Sequence, residues 1–300
     1  MKTLIGFSLG LALIASGAQA QKIDKATAVV AEQDRHVAEG RAVQVTLQQT
    51  EIATTIELGR VATAGYGGGV IGMILIDTID DDNRDTMSQT LRAKAQALAE
   101  PLRLALRDFD VDAVALAATR AGVAKPDWFQ AREVIGSKEP WARGRALLLA
   151  SSDASQFAYV RYRYELSPDF SQIRVIGEIT LMPRNAGRPA GVPETLYRQR
   201  ILSVVQLRTR SYEPRENVAL WSAENGKLAK AGLTAAFGQF EQLIPYALGL
   251  GQRDIDALMG KKREKAFAAG FYGPLIARNT SSSEDVLIWA DGLVHVQSVP

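Results

Sequence analysis

The sequence predicts an α+β fold: an antiparallel sheet of three to four long strands packed against helices, with a helical segment and a small C-terminal β-hairpin unit. Three observations carry this expectation. Residues 156–166 and 172–182 alternate apolar and polar positions on either side of Ser167-Pro168-Asp169, and a third such run extends from Leu196 to about Thr209. Helical spacing precedes these strands, from Thr86 to Phe109 and from Asp112 to about Ala121. It returns from Glu216 to Leu250, so strands and helices are segregated along the chain and do not alternate as βαβ units.

The chain begins Met1-Lys2-Thr3, continues with an apolar stretch from Leu4 to about Ala15, and places small residues at Ala18 and Ala20 before the polar Gln21-Lys22. This is the pattern of a secretory signal peptide cleaved after Ala20. Its apolar stretch falls short of the roughly 20 residues that span a bilayer. The sequence thus places the mature protein in the periplasm, with no transmembrane span, and leaves release beyond the outer membrane open. Cysteine is absent, which removes disulfides, thiolate metal sites, thiol nucleophiles and a lipoprotein anchor. A chain of 300 residues buries enough core to fold without such cross-links. With 35 Lys and Arg against 33 Asp and Glu, for a net charge of +2, no global field draws nucleic acid to it.

The remaining elements follow in order. Residues 1–20 are the leader, 21–42 a polar, helical segment, 43–212 the α+β domain, 213–270 helices packed on it, and 271–300 a C-terminal meander. A helix is expected around Ala26 to Val37. Val43 to Leu47 alternates as a half-buried strand, continuing through Ile52 to Leu58. Thr86-Met87-Ser88-Gln89 fits a capping box. It opens a helix whose apolar face runs Met87, Leu91, Ala95, Leu98, Leu102, Ala105 and Phe109, with a bend or break at Pro101. Gly122 is the expected stop of the next helix. Further on, Pro245 should break the Glu216 to Leu250 helix, and a polar helix spans Asp254 to Ala266. Asp291-Gly292, between Val286–Ala290 and Leu293–Gln297, signals a type I′ hairpin.

Between Ala64 and Asp85 lies the segment richest in alternatives. Gly67 to Gly72 spells G-x-G-x-x-G, but the run before it is a poor buried strand, and the residues about 20 positions on fall within a helix. Met73 follows Gly72, which rules out a Walker A loop. An EF-hand register starting at Asp81 finds Thr86 and Arg92 where Gly and Glu are required. Asp80 to Asp85 instead complement a helix N-terminus. The spacing Gly68-x-x-x-Gly72 allows close approach of another element, either in packing or in self-association.

The two histidines, His36 and His295, do not form a metal motif, and no G-x-S-x-G elbow occurs. No cofactor or metal is expected. The middle strands carry Arg161, Arg163, Arg174, Arg198, Arg200, Arg208 and Arg210, interleaved with tyrosines. Arg161 and Arg163 share one strand face, as do Arg198 and Arg200. Two outcomes follow, depending on register. Either these side chains form a basic patch for phosphate or carboxylate groups of an envelope component, or Glu165 and Glu178 neutralise them across strands.

The order of elements from Val43 to Leu250 is similar to small periplasmic α/β domains of envelope-assembly lipoproteins and secretion accessories. The likeness is architectural and transfers no residues, and the cysteine-free N-terminus departs from the lipoproteins. The function this reading favours is a non-enzymatic periplasmic protein that binds an envelope component or protein partner. Its candidate binding residues are Gly68, Gly72, Arg161, Arg163, Arg198 and Arg200, with self-association through the glycine segment as a further expectation. The alternative is a periplasmic hydrolase whose active site is dispersed in sequence.

Overall fold

The computed structural model describes residues 28–37, 39–55, 81–184, 195–260, 263–278 and 285–299. The leader and the glycine segment, with Gly68 and Gly72, lie outside the described residues. In chain order the elements are α1 (Glu32–Arg35), β1 (Arg41–Thr46), β2 (Ala53–Thr54), α2 (Asp81–Leu106) and α3 (Val111–Ala124). A 3-10 turn at Asp127–Phe129 leads to β3 (Ala131–Ser137) and α4 (Trp141–Ser151). Three long strands follow, β4 (Gln156–Leu166), β5 (Gln172–Pro183) and β6 (Tyr197–Leu207). The chain then forms α5 (Pro214–Gly238), α6 (Phe240–Gly249) and α7 (Gln252–Leu258), and closes with β7 (Lys265–Ala268), β8 (Phe271–Arg278), β9 (Val286–Trp289) and β10 (Leu293–Val299).

The expected antiparallel sheet of three to four strands is corrected. Among the described residues the strands form one ten-stranded mixed sheet in the order β3-β1-β4-β5-β6-β10-β9-β8-β7, with β2 added beside β4. The antiparallel centre, β4-β5-β6, is the part whose alternation is strongest. It is extended by parallel pairings of β1 with β3 and β4, and of β10 with β6. Residues distant in sequence make these pairings, so no local turn signal announces them.

Helices cover one face of the sheet. Val43, Ala158, Val160, Val175, Ile179, Ile201 and Val205 point into a core completed by Ala99 and Leu102 of α2, Ala115 of α3, Trp221 and Phe237 of α5, and Phe240 and Ile244 of α6. Gly177 on β5 is the point of closest approach. A Cβ there would lie 2.4 Å from the Phe240 ring and 2.9 Å from that of Tyr162.

Several helix boundaries differ from expectation. Asp81–Leu106 is helical throughout, so Thr86 lies within the helix and not at its start. The helix also continues past Pro101, where Ala97, the residue whose carbonyl Pro101 cannot serve, is exposed to solvent. Gly122 does not end α3. It sits inside the helix, where a Cβ would come within 2.8 Å of the Phe240 carbonyl, and so lets α6 lie close. Nor does Pro245 break its helix, since α6 contains it. The interruption falls earlier, at Glu224, Asn225 and Gly226, all left-handed with φ of 50, 55 and 72. The N-terminal helix is limited to Glu32–Arg35 within the described residues, and the polar helix near the C-terminus stops at Leu258. The Asp291-Gly292 hairpin forms, with both residues at positive φ.

Two sets of buried hydrogen bonds tie the layers together. Arg41, fully buried, donates from Nε to Gln156 Oε1 (2.9 Å), from Nη1 to the carbonyls of Trp128 (2.9 Å) and Phe129 (2.7 Å), and from Nη2 to those of Asp34 (2.6 Å) and Arg35 (3.1 Å). All five guanidinium N–H groups therefore have acceptors. Burial pushes its pKa down to about 10, opposed by Asp34, and it remains charged at neutral pH. In the β4-β5 turn, Phe170 adopts φ 58 with its ring fully buried. This strained conformation is held by Trp221 Nε1 donating to the Phe170 carbonyl (2.8 Å) and Asn217 Nδ2 donating to that of Asp169 (2.9 Å).

Candidate functional site

Among the described residues, the opposite face of the sheet is covered only at its ends. At one end, Leu148 of α4 packs on Ala42, Phe157, Tyr159 and Met182. At the other, the β7-β8 hairpin and β9 pack on Ile176, Leu202, Val204, Val294 and Val296. Between these two small cores the strands present a polar belt. Register decides its membership: Arg161 of β4, Glu178 of β5 and Arg200 of β6 lie directly opposite one another, and Arg163 is one step further along the same face. Arg198 is one step the other way, in line with Thr180 and Tyr159.

The belt forms a groove of about 650 Å³ whose lining includes Gln48, Gln49, Arg161, Arg163, Ile176, Glu178 and Arg200. The two sequence-based alternatives for the arginines therefore occur together: the side chains do align, and an acid sits among them. Glu178 accepts from Arg161 Nη2 at 2.8 Å and lies 3.8 Å from Arg198 Nε. One carboxylate thus faces Arg161, Arg198 and Arg200. Arg198 Nε is shielded from solvent and, among the described residues, finds no hydrogen-bond partner. Arg174 belongs to a different setting, with its guanidinium 5.3 Å from the Phe271 ring and its Nε donating to Gln172. The structure brings together Arg161, Arg163, Arg198 and Arg200, while Gly68 and Gly72 fall outside the described residues.

Sequence reasoning missed the frame of this groove. Gln48 and Gln49 follow β1, whose parallel pairing to β4 is not visible in the sequence. Gln48 Nε2 donates to the Glu139 carbonyl at 3.1 Å, and Gln49 clasps the Tyr164 backbone from both sides, donating to its carbonyl (2.8 Å) and accepting from its N–H (3.0 Å). At the α4 rim, Trp141 stacks edge-on to Tyr159 at 4.5 Å. Burial pushes the Tyr159 hydroxyl up to about 12, opposed by Arg145.

A dispersed hydrolytic site would rest on the buried His295. His295 Nε2 lies 2.8 Å from Asp285 Oδ1, and Ser203 is its register neighbour on β6. Burial lowers the His295 pKa, while Asp285 acts to raise it. However, neither Ser203 Oγ nor His295 Nδ1 has a hydrogen-bond partner among the described residues, so no Ser–His hydrogen bond joins them. Ser203 is also fully buried, out of reach of a substrate. Among the described residues no group of three or more His, Asp or Glu is placed to hold a metal, and no helix is long and apolar enough to cross a membrane.

No family model matches the chain, and no curated protein matches it. Among solved structures, a dodecameric PelC variant from Paraburkholderia phytofirmans is similar at 13% identity, covering 70% of this chain and 91% of that one, with a TM-score of 0.24. That similarity is too low to relate the two folds.

Proposed function

We propose that this protein is a non-enzymatic accessory of the periplasm that binds an anionic envelope component through the groove across β4, β5 and β6. The observation that supports this is the alignment of Arg161, Arg163 and Arg200 on one strip of sheet that the described residues leave uncovered, with Arg198 beside them. Guanidinium groups present paired donors that match phosphate and carboxylate oxygens. Successive same-face positions on a strand lie about 7 Å apart, and alternate strands lie about 10 Å apart. The groove thus suits a ligand carrying several negative groups, such as a phosphorylated saccharide, better than a single small anion. In this reading the glycine segment is a second contact, toward a partner or another copy of the chain.

The test is calorimetric titration with deacylated lipopolysaccharide, a soluble saccharide that keeps its phosphates and carboxylates, against neutral dextran. Binding of the first only, with affinity falling as salt rises and lost in Arg161→Ala/Arg163→Ala, is the expected result. Equal binding of both saccharides, or a variant indistinguishable from the parent, would overturn the proposal.

A further inference from the structure

The β7-β8 hairpin turns two of its large aromatic side chains away from the sheet. Register pairs Ala266 with Gly273 and Ala268 with Phe271 on the face toward the sheet, and Lys265 with Pro274 and Phe267 with Tyr272 on the face away from it. Small residues thus dominate the buried side, while Phe267 and Tyr272 stand side by side in solvent, 71% and 62% exposed. Met259, at the end of α7, is 66% exposed as well. Single exposed apolar residues are ordinary, but two exposed aromatic side chains at register-paired positions of the last hairpin of a sheet place apolar area together on one face.

The described charges on this hairpin and its approach are mostly basic. Between Met259 and Arg278 the described residues carry Arg263, Lys265 and Arg278 against Glu264, which pairs with Arg278 at 3.5 Å. Lys265 Nζ lies 5.6 Å from the Tyr272 ring centroid, so its ammonium stands beside the aromatic pair. Aromatic rings flanked by lysine and arginine are the composition that partitions to a bilayer interface: the rings enter the boundary between headgroups and acyl chains, and the cations stay with anionic headgroups.

We propose that the outward face of this hairpin docks the protein on an anionic phospholipid bilayer through Phe267, Tyr272 and Lys265. The site is separate from the arginine groove and does not depend on a ligand there. The test is flotation of the mature chain with vesicles of phosphatidylcholine alone and of phosphatidylcholine mixed with phosphatidylglycerol. The parent should float with the mixed vesicles and hardly with the neutral ones. Phe267→Ser and Tyr272→Ser should each weaken binding about tenfold, since each ring buries apolar area in the interface. Lys265→Glu should weaken it at least about fivefold and flatten its salt dependence. All three positions are exposed, so urea midpoints should match the parent. Arg161→Ala/Arg163→Ala should float like the parent. Failure of the parent to float would overturn the proposal, as would flotation lost in the arginine variant but kept in the aromatic ones. Self-association that Phe267→Ser abolishes, with no vesicle binding, would make this face a protein interface and also overturn it.

Discussion

Removing the carboxylate at the centre of the groove should strengthen anion binding. Glu178 accepts from Arg161 at 2.8 Å, sits 3.8 Å from Arg198 Nε, and faces Arg200 across the strand pair. It therefore occupies the position a ligand anion must approach. For a bound anion held at a separation of about 6 Å, the Glu178 carboxylate would contribute a repulsion of about 0.7 kcal/mol in water and about 3 kcal/mol at the effective dielectric of a protein surface. The Glu178 side chain is 34% exposed and that of Arg161 56%, so the lower part of this range applies. Glu178→Gln should then gain about 1 kcal/mol, or about fivefold in Kd for deacylated lipopolysaccharide. Glutamine keeps the shape and one acceptor for Arg161, so the thermal midpoint should change little. The gain should shrink at high salt, where screening reaches within a few ångströms. Weaker binding by Glu178→Gln would refute the reasoning, because it would mean that the carboxylate positions the arginines and does not compete with the ligand.

Arg41→Met should cost about 3–5 kcal/mol in urea denaturation, since it leaves Gln156 Oε1 and the carbonyls of Trp128, Phe129 and Arg35 without this donor, while the Asp34 carbonyl keeps only Gln156 Nε2. Arg41→Lys should recover only part of this, because one ammonium cannot serve all five acceptors. Gly177→Ala should destabilise by about 1–3 kcal/mol through the clash with Phe240, and Phe240→Leu in the same chain should relieve some of that loss. Burial acts to raise the pKa of Asp169, but hydrogen bonds from Ser167 and from the side chain and backbone of Ser171 outweigh it and hold the value below 3.8. A depressed carboxylate contributes stability that is full above its unfolded pKa and is lost as pH falls through its folded one. Asp169→Asn should therefore lose less stability than the parent in urea melts run below about pH 4. An identical slope would remove Asp169 from the acid response.

The sequence reveals the central hairpin and third strand because their code is local. Alternation from Gln156 to Leu166 and from Gln172 onward, with Ser-Pro-Asp between, fixes both the strands and their antiparallel sense. The Asp291-Gly292 turn is legible for the same reason. β3 is not, since Ala131–Ser137 is short, half-exposed and interrupted by Gly136, and it owes its strand to β1. Proline and glycine do not punctuate these helices. Pro101 and Pro245 are tolerated within their helices, and Gly122 serves close packing. The residue types of the groove were readable from the alternating arginines. Their alignment with one another and with Glu178 was not, because period two assigns a face but not a register. Phe267 and Tyr272 are not legible together for a similar reason: the expected helix from Asp254 runs into β7 and ends at Ala266, and the two positions face each other only once the hairpin pairs.

The central claim is that the arginines of β4 and β6 contact an anionic ligand, and arginine side-chain NMR reads this directly. The Nε–H signals of Arg161, Arg163, Arg198 and Arg200 should move together during titration with deacylated lipopolysaccharide, while that of Arg41, fully occupied in the core, stays fixed. Groove signals that remain unmoved while the ligand binds, or shifts spread equally over arginines elsewhere on the surface, would contradict the account.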